Sequence, residues 1–294
     1  MKNRAIAEAL LVTFLWSTSW VLIKEGLQDI PPLLFAGLRY VLAFLFLLPL
    51  VLRKSIRKEI KSLTQADWRW LAVLGLFYYT LAQGAQFLGL SYLPANMLSL
   101  LLTLSVITIA FGGKIFLGER LSAIQWIGVG ISIGGALIYF GRTPVLSQTG
   151  LLVGLFAMLA ISGGALLARQ VNRSGRISAS VVTLVSMGFG SILLLGLGVA
   201  FESLPRLGGK EWLIIFWLAA VNTAFAFTLW NRTLQQLSAA QSGAINNTML
   251  IQIAILAWIF LGERLSAIQI IGLSIALIGT VLVQRSPGKR VKDS

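Results

Sequence analysis

Cysteine and histidine are both absent from this 294-residue chain. Their absence removes disulfides, thiol nucleophiles, zinc sites built on the usual ligands, and the side chain that most often shuttles protons near neutral pH. Charge is scarce as well. Only 12% of the residues are Asp, Glu, Lys or Arg, against 57% hydrophobic, and the mean hydropathy is +0.85. A soluble domain covers its surface with roughly a quarter charged residues, so this composition excludes one. Acidic groups are the rarer sign, 10 against 24 basic, for a net charge of +14. In a membrane protein such an excess reports loop orientation, and nucleic acid is not an expected partner.

What fills the chain instead is a series of apolar runs, each long enough to cross a bilayer core of about 30 Å. Ten spans are predicted: 5–24, 32–52, 68–90, 95–117 and 122–140, then 149–170, 178–201, 211–233, 239–261 and 266–284. The expected fold class is therefore an all-α integral membrane protein of ten transmembrane helices. The first run follows Lys2 and Arg4 but lacks a small-x-small cleavage site, so it reads as a span and not as a signal peptide. The longest connection, 53–67, carries Arg53, Lys54, Arg57, Lys58 and Lys61. With a cytoplasmic N-terminus, the inside ends and loops hold eighteen Lys and Arg and the outside ones five. That bias places both termini in the cytoplasm.

One stretch occurs twice. Phe116 to Gln125, FLGERLSAIQ, returns letter for letter from Phe260 to Gln269, an offset of 144 residues. Each half, 1–144 and 145–294, then holds five spans. Five is odd, so the second half enters the membrane from the opposite face, giving two inverted-topology repeats. This architecture allows a central site to open alternately to either side. Within the decamer, Gly118 and Gly262 suit the residue just past a helix end. Ser122-x-x-Gln125 and Ser266-x-x-Gln269 fit the capping box that starts the next helix. The turn charges Glu119 and Glu263 read as solvated, with a role in gating or ion coupling as the alternative.

Gly118-Glu119, Gln125, Gly128 and Gly135, matched by Gly262-Glu263, Gln269, Gly272 and Gly279, also carry a likeness. The chain resembles the EamA-type branch of the drug/metabolite transporter superfamily, ten-span carriers of two inverted five-span repeats. The resemblance implies export of small metabolites, amino acids or drugs across the bacterial inner membrane. The LWST stretch at Leu15–Thr18 is most similar to the YddG-type amino acid exporters. Sugar-phosphate and nucleotide-sugar carriers share the span count, but the basic residues expected to hold their phosphates are scarce at mid-membrane depth here.

A transport site belongs near the midplane, where polar side chains face the protein interior. The residues expected to contact substrate are Trp16 and Trp20 on the first span, Tyr78, Tyr79 and Gln83 on the third, and Thr103 on the fourth. The second half adds Ser162, Asn222, Asn246 and Asn247. Together they describe an uncharged cavity of rings, amides and hydroxyls suited to neutral or zwitterionic cargo. The competing reading is that such groups hold helices together. Arg39 is the one clear charge inside a span; it either snorkels to the outer surface or holds a substrate carboxylate. Trp68, Trp70 and Trp212 read as interfacial anchors.

No Asp or Glu falls near the middle of a span, so facilitative export without proton coupling is expected. A multidrug exporter of lipophilic cations is the rival function. An intramembrane enzyme finds no nucleophile, base or metal constellation to work with. No cofactor is implied, and the expected partners are a small-molecule substrate and membrane lipid, with a functional monomer.

Overall fold

The computed structural model describes residues 2–117, 122–140, 147–172, 176–234, 237 and 239–285, with only the backbone described at Lys2, Leu117, Asn172, Asn231, Leu234, 239–244 and Arg285. Among these there is no strand. Fourteen α-helices follow in order: α1 (Lys2–Gly26), α2 (Pro32–Leu47), α3 (Lys54–Lys61), α4 (Gln65–Gly75), α5 (Ala82–Tyr92), α6 (Ala95–Thr103), α7 (Ser105–Leu117) and α8 (Ala123–Phe140) in the first half. The second half holds α9 (Gln148–Asn172), α10 (Ala179–Phe201), α11 (Gly209–Ala219), α12 (Ala226–Leu234), α13 (Ala239–Leu261) and α14 (Ala267–Arg285). Nine helical stretches are long and apolar enough to cross a bilayer, and the shorter apolar run Ile245–Leu261 completes the expected ten.

Several spans are composite. The third is α4 and α5 joined by a π-helical turn at Leu76–Leu81; the eighth is α11 and α12 joined by another at Ala220–Phe225. The two turns are again 144 residues apart. A π turn widens the helix by one residue and frees backbone groups, and such turns gather at functional sites. The fourth span breaks at Leu104 between α6 and α7, whereas its counterpart α13 is continuous. The connection 53–67 contains a helix that the density of charge in KSIRKEIK concealed. In α3, Ile56 is buried and Ile60 packs beside it, while Lys54, Arg57 and Lys58 stay exposed.

The inverted symmetry is written into the contact between α8 and α14. A Cβ on Gly135 would stand 2.3 Å from the Ala276 nitrogen, and one on Gly272 would stand 2.6 Å from the Tyr139 nitrogen. Gly128 and Gly279 repeat the arrangement, at 2.7 Å from the Val283 nitrogen and 2.3 Å from the Ser132 nitrogen. The early glycine of each helix faces the late part of the other, so the helices run antiparallel and backbone touches backbone. In lipid, where burial between helices gives little driving force, such close packing supplies the attraction. Gly134, adjacent to this seam, faces open space.

The turns obey the local rules. Gly262 adopts a positive φ of 67°, which ends α13. Both capping boxes form: the Ser122 and Ser266 amides donate to Gln125 and Gln269 Oε1 at 2.9 and 2.8 Å. Glu263 departs from the solvated reading. Its carboxylate accepts the amides of Ala95 (2.7 Å) and Asn96 (3.0 Å), the first residues of α6. Pro94 precedes that helix and offers no capping side chain, so an acid from the other half supplies the acceptor. Glu202 does the same for Leu33 and Leu34 at the start of α2 (3.0 and 2.8 Å), and Glu59 accepts the Ser178 amide before α10. Gly118 and Glu119 lie outside the described residues.

Candidate functional site

Between the halves lies a cavity of about 410 Å³, within the range of small-molecule sites. Both halves contribute to it. Trp16 and Trp20 come from α1, Arg39 from α2, Tyr78 from the first π turn, Gln83 from α5, Thr103 from the end of α6, and Asn246 and Asn247 from α13. All of these are residues that the sequence nominated. Its lining also includes Gln284, the penultimate residue of α14, so it extends toward the end of the bundle that carries the chain's N-terminus. Near the turn 92–95 the elements are tied together by charged side chains. There Lys24 Nζ donates to the Leu90 and Leu93 carbonyls (2.5 and 2.8 Å) while Glu263 holds the α6 amides.

Three nominated residues sit behind the lining. Tyr79 is 5% exposed and packs edge-on against Tyr40 and Tyr78, with ring centroids 5.8 and 5.5 Å away. Ser162 donates to the Met158 carbonyl (2.7 Å) and pairs with Thr108, joining α9 to α7. Asn222 donates its amide to the Leu15 carbonyl and to Thr18 Oγ1 (3.0 Å), joining the second π turn to α1. For these residues helix-to-helix bonding describes the geometry better than cargo contact. Gln252 does the same work between α13 and α1, accepting from Ser17 Oγ at 2.9 Å.

Arg39 does not snorkel. It is 5% exposed and, among the described residues, is the only Asp, Glu, Lys or Arg in the cavity wall, so the cavity is not the uncharged one expected. The reason lies in helix rotation: the α2 face bearing Arg39, Tyr40 and Ala43 is buried, leaving Phe46 and Leu48 outward. Nε of Arg39 donates to Thr223 Oγ1 at 3.0 Å. Thr223 belongs to the second π turn and in turn donates to the Leu218 carbonyl five residues back at 2.8 Å. The hydroxyl proton is thereby committed to the helix, which leaves an oxygen lone pair for the guanidinium. The Arg39 carbon lies 5.2 Å from the Tyr40 ring centre and 5.9 Å from that of Phe87, a cation–π arrangement that recovers part of the desolvation cost.

Around this cation the wall divides by chemistry. Tyr40 donates its hydroxyl to Gln83 Oε1 at 2.6 Å, so the Gln83 NH₂ remains a donor. Trp16 packs against Phe227 and Trp230 at 5.4 and 5.3 Å, and Phe227 reaches the cavity with it. Asn247 donates to Gln284 Oε1 at 3.1 Å. Tyr40, Phe227 and Gln284 were not anticipated. Tyr40 had a signal in its adjacency to Arg39; Gln284 had none, being assigned to a span end. Trp68, Trp70 and Trp212 face outward, 37%, 50% and 39% exposed, away from the cavity. Among the described residues no group of three acidic side chains has the geometry to hold a metal ion.

The chain is similar in sequence to known membrane transporters. The model of the EamA-like transporter family matches residues 3–141 and 148–285, one match per half. A relative from Bacillus subtilis, named the uncharacterized transporter YoaV, is 24% identical over 272 residues, covering 89% of this chain and 90% of its own. Proteins named probable amino-acid metabolite efflux pumps, from Escherichia coli and Salmonella typhimurium, are 23% and 25% identical, each over 92% of this chain and 91% of theirs. One solved crystal structure superposes over 97% of this chain and 99% of its own with a TM-score of 0.66 at 18% identity, a likeness of fold.

Proposed function

Since this chain belongs to the EamA-like transporter family, we propose that it exports small carboxylate-bearing metabolites, a class that includes neutral and aromatic amino acids. The carrying observation is the inter-half cavity, with Arg39 in its wall and aromatic rings opposite in kind. Arg39 and Gln83 contact the carboxylate, while Trp16, Trp20 and Tyr78 pack against the side chain. Thr103, Asn246 and Asn247 supply polar contacts further along the wall, and Tyr79, Ser162 and Asn222 fix the helices that carry them. Two relatives named as amino-acid metabolite efflux pumps support this class of cargo.

The mechanism proposed is alternating access between the halves 1–144 and 145–294, by a monomer in the bacterial inner membrane with both termini cytoplasmic. The backbone seam of α8 and α14 holds the halves together, while the turn 92–95 closes the face opposite the termini. Moving to the other state requires Glu263 to release the α6 amides. Transport is facilitative, for among the described residues no acidic one lines the cavity to exchange a proton. A lipophilic cation is disfavoured by the Arg39 charge.

Efflux of radiolabelled amino acids from proteoliposomes of the purified protein tests the reading. Saturable flux of phenylalanine or leucine is expected. Flux of a cationic dye with none of the amino acids would replace this reading with multidrug export.

A further inference from the structure

Among the described residues, the cavity wall contains a cation and no anion. None of its lining residues is Asp or Glu, and Thr223 Oγ1 is the one hydrogen-bond acceptor given to the Arg39 guanidinium among the described residues. A guanidinium withdrawn from water needs a counter-charge, and two aromatic faces at 5.2 and 5.9 Å supply only part of one. Four N–H groups of its planar fork remain, in the geometry that matches a carboxylate bidentately. The adjacent Gln83 NH₂ is a further donor, since its Oε1 is taken by Tyr40.

An α-ammonium group gains nothing equivalent. It is joined to the carbon next to the carboxylate, so seating the carboxylate on Arg39 brings the ammonium close to the same positive charge. Among the described residues no acidic side chain of the wall offsets that repulsion. Resting on the export reading above, we propose that the site selects organic monocarboxylates of net charge −1, the amino group being dispensable, and that export of such cargo is electrogenic. A membrane whose interior is negative then drives the anion outward by itself. The force amounts to roughly 50-fold in concentration ratio per 100 mV for one charge. This gives direction to a carrier whose described cavity wall holds no acidic side chain for proton exchange, in a chain without histidine.

The test reconstitutes the full chain in proteoliposomes with a potassium diffusion potential set by valinomycin. Phenylpyruvate, phenylalanine and phenethylamine share a ring and differ in charge: −1, zero and +1. Phenylpyruvate is expected to move and to redistribute toward the positive side, approaching the 50-fold ratio per 100 mV. Phenylalanine moves more weakly and without response to voltage, and phenethylamine does not move. Arg39→Gln lowers phenylpyruvate flux about 100-fold, Arg39→Lys retains more of it, and Thr223→Val raises KM with little change in maximal rate, as fits a positioning residue.

Phenylalanine flux without phenylpyruvate flux would overturn the proposal, because the ammonium would then be required. Phenethylamine flux would overturn it too. A tryptophan-fluorescence titration in detergent separates this failure from that of the export reading. Phenylpyruvate binding that Arg39→Gln removes, with no flux of any probe, keeps the anion site and discards transport. Absence of both binding and flux refutes the anion site itself.

Discussion

The two halves share a scaffold and differ in what they put into the cavity. The decamer, the π turns, the capping boxes and the glycine seam all recur at an offset of 144. Even the acid caps correspond: Glu59 serves the start of α10 and Glu202 the start of α2, at opposite ends of the bundle. The chemistry does not recur. Arg39 has Thr183 at its matching position. The first π turn offers Tyr78 and Tyr79; the second offers Asn222 and Thr223 at the matching places, one tying down α1 and the other holding Arg39. The fourth span is broken beside Thr103, and the ninth is continuous past Asn247. Symmetry thus belongs to the scaffold, and asymmetry to the cavity wall. The cargo proposed above, with one charged end, fits this division, since a symmetric wall would present it with two cations.

Breaking the asymmetric side should have the largest effect. Arg39→Gln is expected to lower flux of carboxylate cargo about 100-fold, the scale of a buried charge-assisted pair, with thermal stability in detergent unchanged or raised. Loss of both activity and folded yield would instead make Arg39 a structural residue. Breaking the symmetric side comes next. Gly135→Val forces a side chain toward backbone that stands 2.3 Å from the Cβ position alone. It should destabilise the protein by about 3 kcal/mol or more, seen as a lower Tm of the detergent-solubilised protein, and Gly272→Val should do the same.

Two smaller effects sharpen the comparison. Glu263→Gln weakens the acceptor for two α6 amides and should favour the state open on the far face. A cysteine introduced at Asn96, 1% exposed in this structure, should then be labelled several-fold faster than in the parent. Unchanged labelling would confine Glu263 to helix capping. Gly134→Ala is the control for the seam: open space surrounds that position, so the change should be neutral or stabilising by less than about 1 kcal/mol.

Much of the scaffold was legible because its determinants are local. A glycine after an apolar run and a Ser three residues before a Gln state where helices end and begin, wherever they pack. The literal decamer and an odd span count then imply inversion. Partners distant in sequence were not legible. Glu263 finds Ala95 from 168 residues away, so nothing beside it in the chain distinguishes a cap from a solvated loop charge. Rotation about a helix axis was equally hidden. Arg39 lay close enough to a span end for snorkelling to fit, and only the packing of α2 against the second half turns it inward. Asn222 was nominated for its polarity, yet its NH₂ group is spent on α1. The π turns leave no mark in composition at all.

The most direct measurement of the central claim is saturable amino-acid efflux from proteoliposomes of the parent chain beside Arg39→Gln and Arg264→Gln. Both variants lose one positive charge, one in the cavity wall and one at an exposed turn. Flux lost in Arg39→Gln and kept in Arg264→Gln is the predicted result. Equal flux in all three proteins would contradict a cavity organised around a single cation.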